Sequence, residues 1–106
     1  MSQSDAGTDH GVTHVVLVSW TDGRGPAVEE SIRPAIRAFA DTIPGISNVV
    51  EGHSVSPERL EDGLDYGFVI TFDDARARDA YLVDERHRVV ADAIGDSAQR
   101  IVVFDI

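Results

Sequence analysis

Hydrophobic and polar residues alternate along four stretches of the chain and recur at three- and four-residue steps along others. Val12 to Trp20 is the first alternating stretch. Its centre, Val15-Val16-Leu17-Val18, is apolar at successive positions and rich in β-branched residues, as in a strand covered on both sides. Period-two geometry puts His14, Val16, Val18 and Trp20 on one face, and Thr13, Val15, Leu17 and Ser19 on the other. Thr21-Asp22-Gly23 reads as a turn. Pro26 to Ile43 then carries Ile32, Ala35, Ile36, Phe39, Ala40 and Ile43 on one helical stripe. Pro26 suits the first turn, and Glu29 and Glu30 suit the positive end of the helix dipole. Pro34 either kinks this helix or moves its start to Ser31. Pro44-Gly45 ends it.

A second strand is expected over Ile46 to Val55, with Gly52 marking a bulge or a close approach. A polar loop, Ser56 to Gly63, leads to a third strand over Leu64 to Phe72, which puts Tyr66, Phe68, Ile70 and Phe72 on one face. Asp73 is placed as the N-cap of a helix over Asp74 to Leu82. A short helix over Glu85 to Ile94 and a last strand over Ala98 to Ile106 complete the chain. Met1 to Gly11 is small and polar and reads as a disordered tail with His10 in it.

The order βαββ(αα)β predicts an α+β fold, the ferredoxin-like split βαββαβ plan, with an antiparallel four-stranded sheet and its helices on one face. Val16, Val18, Trp20, Phe68, Ile70 and Phe72 are then expected on the face the helices leave open. Burying six such side chains at ~1.5–3 kcal/mol each is worth roughly 9–18 kcal/mol, comparable to the net stability of a domain. A second copy of the sheet is the simplest cover, which predicts a homodimer closed as an α/β barrel.

The candidate chemistry sits in Asp79-Ala-Tyr-Leu-Val-Asp-Glu-Arg-His-Arg-Val89. On one continuous helix, Tyr81 and His87 would be rotated by ~240° net and would face apart. A break at Val83-Asp84, with Asp84 as a new N-cap and His87 at N3, brings them together. A phenol and an imidazole on one cavity pass protons near neutral pH. The plainer alternative makes Tyr81 a core residue and His87 a surface one.

Composition narrows the remaining choices. One hundred and six residues make one domain, and there is no cysteine for a disulfide, thiolate site or nucleophile. No apolar run approaches the ~20 residues of a membrane span, and no signal-peptide core is present, so a cytoplasmic protein is expected. Net charge is −10, and the nine Lys-plus-Arg cations are all arginine. That balance argues against nucleic acid and anionic membranes as partners. His14, His53 and His87 lack any metal-ligand spacing, and Asp22-Gly23-Arg24-Gly25 is a turn without the Lys-Ser/Thr of a phosphate loop. No Gly-x-Ser-x-Gly elbow occurs, and nothing marks a haem, flavin or nicotinamide site. No metal or cofactor is expected.

Several pieces, in order, resemble the stress-responsive A/B barrel (Dabb) family over residues 12–106. They are Thr13-His14-Val15-Val16-Leu17-Val18, Ile43-Pro44-Gly45-Ile46, Glu51-Gly52-His53-Ser54-Val55, Phe68-Val69-Ile70-Thr71-Phe72, Tyr81 to His87, and Val103-Phe104-Asp105. The resemblance implies a dimeric barrel. One enzyme of the family is a polyketide cyclase that performs an aldol condensation without metal or cofactor. By that likeness Tyr81 and His87 match its proton-transfer pair, and His14 matches its first-strand histidine. His14, Val16, Val18, Trp20, Tyr66, Phe68 and Ile70 would line the substrate site. The chain departs from the family's His-Pro-x-His, having Asp84-Glu85-Arg86-His87, and it has Tyr66 where the cyclase has a histidine. These readings leave three functions: a cofactor-independent cyclase or lyase acting on a hydrophobic carbonyl compound, a non-catalytic stress-responsive dimer filled by Trp20, Phe68 and Phe72, or a monooxygenase-like barrel.

Overall fold

The computed structural model describes residues 10–106. The expected tail falls outside the described residues over positions 1–9; His10 and Gly11 are exposed, and the first strand begins at Val12. The elements are β1 (Val12–Trp20), α1 (Gly25–Thr42), β2 (Ile46–His53), β3 (Tyr66–Phe72), α2 (Ala75–Leu82), α3 (Glu85–Ser97) and β4 (Ala98–Asp105). All strand pairs are antiparallel, in the order β2-β3-β1-β4. This is the ferredoxin-like α+β plan. Among the described residues, no helix is long and apolar enough to cross a membrane.

Helix α1 starts at Gly25, one residue before Pro26, and runs unbroken through Pro34. Pro34 lies on the exposed side, so the carbonyl that loses its backbone donor faces water. Val28, Ile32, Ile36 and Phe39 form the buried stripe, while Ala35 and Ala40 are exposed. The cap of α2 is Asp74 rather than Asp73; its carboxylate accepts the Ala77 N–H at 2.8 Å. The irregularity in β2 lies at Ser47, between Ile46 and Asn48, and not at Gly52, which pairs regularly with Gly67.

The strands alternate as expected, but the sides are exchanged. Val16, Val18, Phe68, Ile70 and Phe72 are buried against the helices, with Ile32, Ile36, Phe39, Tyr81, Val90 and Ile94. Trp20 is on the helix side too, stacked on Tyr66. These six residues are the protomer's own core, so they cannot be what a second sheet covers. The open face carries the other set. Register places Val15 beside Phe104 and Val69, and Leu17 beside Val102 and Gly67, with Val50 opposite Val69 on β2. Phe104 is 60% exposed and Val50 59% exposed. An apolar face thus remains open on the protomer, made of smaller side chains than expected.

The turn after α1 is tied closely to α2. Gly45 has φ +86°, and a Cβ there would lie 2.5 Å from the Ala77 Cβ. Its carbonyl also accepts the Asp73 N–H. Gly45→Ala therefore combines an unfavourable φ with a clash and should destabilise by roughly 2 kcal/mol or more in urea unfolding. Adding Ala77→Gly should recover the steric part only. Unchanged stability of the single variant would contradict this account of the turn.

Candidate functional site

The site is built around the end of α2. Val83 closes that helix and Asp84 caps the next, its carboxylate accepting the Arg86 N–H at 2.8 Å. Hydrogen bonds from the Arg86 side chain and backbone hold the Asp84 carboxyl down to about 2, so the cap is ionised throughout the neutral range. His87 falls at N3 of α3. The break turns the chain back on itself, and the Tyr81 and His87 rings lie 4.4 Å apart between centroids.

Both rings face a cavity of about 150 Å³ between α2, α3 and the sheet. His14, Val16 and Phe68 supply the sheet wall, and Val90, Ala91 and Ile94 the α3 wall. Ile101 and Val103 of β4 also line it and are half-exposed, so that side opens to solvent. One end is therefore polar, with His14, Tyr81 and His87, and the rest is apolar. An apolar cavity of this size holds about one benzene-sized ring.

The electrostatics suit proton transfer. Burial lowers the His87 pKa from its ordinary value; the Leu82 carbonyl opposes this, and the charge of a protonated His14 would reinforce it. His87 is thus neutral at pH 7, and its Nδ1 is buried without a hydrogen-bond partner among the described residues. Burial alone raises the Tyr81 pKa, so its hydroxyl stays protonated. His14 Nδ1 lies 2.6 Å from Asp105 Oδ1, and Arg78 donates to Asp105 Oδ2 at 2.6 Å.

Of the residues expected from sequence, His14, Val16, Phe68, Tyr81 and His87 line this cavity. Val18 and Ile70 are fully buried in the core and do not line it. Phe72 packs on Tyr81 from behind, at 5.1 Å between centroids. Trp20 and Tyr66 belong to a separate polar cluster at the other end of the sheet. There Trp20 Nε1 donates to Glu29 at 2.8 Å, His53 Nε2 lies 2.7 Å from Glu29, and the Tyr66 hydroxyl donates to Glu51 at 2.9 Å. Arg33 and Arg37 also donate to Glu51. His53 is thus far from the His14–His87 pair, and no three His, Cys, Asp or Glu side chains converge on a metal position among the described residues. Asp105 and Arg78, which reach the cavity only through His14, were not among the residues expected from sequence. The signal for Asp105 was its place at the end of β4, but its pairing with His14 spans 91 positions.

These features define a class: a ferredoxin-like protein with a small cavity between sheet and helices that holds a Tyr–His pair. The model of the Stress Responsive A/B Barrel Domain (Dabb) family matches residues 12–106, and the chain belongs to that family. No curated protein matches the chain. Among solved structures, it is similar to a dimeric ferredoxin-like protein of unknown function from Jannaschia sp. CCS1. That pair has TM-score 0.84 and 23% identity, over 92% of this chain and 98% of the other. The protein At3g17210 from Arabidopsis thaliana has TM-score 0.78 and 27% identity, over 90% and 92% of the two chains. A hydroxynitrile lyase from Passiflora edulis has TM-score 0.81 and 16% identity, over 92% and 93%.

A neutral, buried His87 has a consequence for stability. Its pKa is depressed in the folded state, so below about pH 6.5 the unfolded chain binds the proton more readily. Stability should therefore decline as pH falls through and below the ordinary histidine range. Urea unfolding at several pH values between about 5 and 8 should show a shallower slope for His87→Asn than for the parent. Equal slopes would mean that burial does not perturb His87.

Proposed function

We propose that the protein is a small cofactor-independent lyase of the Dabb family, with His87 as the general base and Tyr81 as the hydrogen-bond donor. The observation that carries this is a neutral His87 beside a protonated Tyr81, with both rings lining one small cavity that opens to solvent along β4. Histidine kept neutral near its working pH is suited to taking a proton, and a phenol kept protonated is suited to stabilising an oxyanion. The hydroxynitrile lyase among the similar structures is consistent with that chemistry.

The step balances with these two groups alone. His87 takes the proton of a substrate hydroxyl. The adjacent carbon–carbon bond breaks, the oxygen becomes a carbonyl held by the Tyr81 hydroxyl, and the bonding pair leaves with the departing carbon. That fragment takes the proton back from His87. The reverse direction gives an aldol-type addition. The cavity, at about 150 Å³, is below the ~300–1,000 Å³ typical of drug-sized ligands. A single-ring or short-chain carbonyl compound fits it, and an extended polyketide does not.

A homodimer formed through the open sheet face belongs to the same reading. Val15, Leu17, Val69, Val102 and Phe104 form a contiguous apolar surface there, and the Jannaschia neighbour is described as dimeric. Val16, Val18, Trp20, Phe68, Ile70 and Phe72 play no part in that contact.

Two tests follow from this reading. With an aromatic cyanohydrin or a β-hydroxy ketone as substrate, followed by aldehyde or ketone release, His87→Ala should cut turnover roughly 10²–10⁴-fold. Tyr81→Phe, which keeps the ring, should cut it about 10²-fold. Parent-level rates in both variants would end the assignment. In sedimentation velocity at micromolar concentration, the parent should run as a dimer and Phe104→Glu as a monomer. A monomeric parent would remove the open face as the contact.

A further inference from the structure

One chain of charge beside the cavity plays no part in the proton transfer proposed above. Arg78 on α2 reaches Asp105 on β4, and Asp105 reaches His14 on β1, with 2.6 Å at both contacts. His14 is itself buried, held edge-on by Tyr81 at 5.7 Å and Phe72 at 6.0 Å between centroids. Its ring has little freedom to turn.

The protonation pattern of this chain follows from its chemistry. Burial acts to raise the Asp105 pKa, but hydrogen bonds from His14 and Arg78 outweigh it, and the carboxyl is held below its ordinary value. An ionised carboxylate only accepts, so His14 Nδ1 must carry a proton. On a neutral ring the lone pair is then on Nε2, the nitrogen that Asp105 leaves free. Arg78 occupies the second carboxylate oxygen and is also held by Asp79 at 2.8 Å. Asp105 is thereby fixed on two sides.

We propose that Asp105, anchored by Arg78, is a positioning residue that locks His14 in the Nδ1–H tautomer and presents Nε2 to the cavity as a hydrogen-bond acceptor. The cavity then selects ring-sized ligands that carry a hydroxyl of their own. This names the substrate class of the site proposed above. It rests on that reading only for its effect on turnover; ring tautomer and ligand preference are read without any reaction.

The test uses nitrogen-15 NMR of the histidine rings at about pH 8, above the ordinary histidine range, with phenol and methoxybenzene as probes. The parent should show His14 with a protonated Nδ1 and a bare Nε2. It should bind phenol about tenfold more tightly than methoxybenzene, the worth of roughly one hydrogen bond. Asp105→Asn, whose amide can donate to Nδ1, should move the proton to Nε2 and erase the preference. Arg78→Gln should give mixed tautomers, and Arg78→Lys should restore the single one. If Asp105→Asn fails to fold, Arg78→Gln carries the comparison. A parent ring protonated on Nε2, an unchanged tautomer in the variants, or a phenol preference that survives them would overturn the proposal. Failure to turn over any hydroxylated substrate would instead count against the lyase reading and leave these readouts standing.

Discussion

The ionised cap at Asp84 is the interaction on which the site depends. A helix interrupted and restarted there needs its first N–H groups satisfied, and Asp84 does this for Arg86 while drawing in the Arg86 guanidinium. The guanidinium also donates to the Thr42 carbonyl at the end of α1. One short acidic residue thus fixes the angle between α2 and α3 and ties both to the longest helix. Without the interruption, Tyr81 and His87 would point to different sides of one rod, and the polar end of the cavity would lose its Tyr81–His87 pair.

The rest of the architecture supports that bend. Tyr81 is buried among Phe39, Phe72 and His14, in contacts that come from α1, β3 and β1. These aromatic contacts hold the phenol without giving it a charged neighbour, which is why burial alone governs its pKa. The opposite end of the sheet follows another logic. Glu51 and Glu29 are nearly buried there, with arginine, tyrosine, tryptophan and histidine partners. Burial would raise the Glu51 pKa, but the Arg33 and Tyr66 hydrogen bonds win and lower it. That end is saturated with hydrogen bonds, whereas the Tyr81–His87 end leaves a ring nitrogen unsatisfied.

Much of this was legible in the sequence because local rules decide it. The break at Val83-Asp84, the N3 position of His87 and the order of elements along the chain follow from capping preferences and period-two or period-four patterns. The side of the sheet does not. Alternation says which residues share a face, but it is symmetric with respect to which face the helices choose, so Val16, Val18, Phe68, Ile70 and Phe72 were placed on the wrong one. The helices cover most of the sheet's aromatic side chains, and valines, Leu17 and Phe104 are left on the open face. Likewise, the bulge at Ser47 lacks any residue that demands it, and the Arg78–Asp105–His14 chain joins three elements far apart in sequence. Nothing within a window of ten residues records such pairings.

The cavity wall has one more implication. It contains histidine, tyrosine and hydrocarbon, but no amine, thiol or carboxylate, and the chain has no lysine anywhere. Imine formation, the usual covalent route for activating a carbonyl, needs a lysine amine. That route is closed to this protein's own side chains, and an aldehyde released by the proposed reaction would meet no lysine to condense with. A small, acidic, lysine-free shell would therefore be a chemically quiet container for the reactive carbonyl of the proposed reaction.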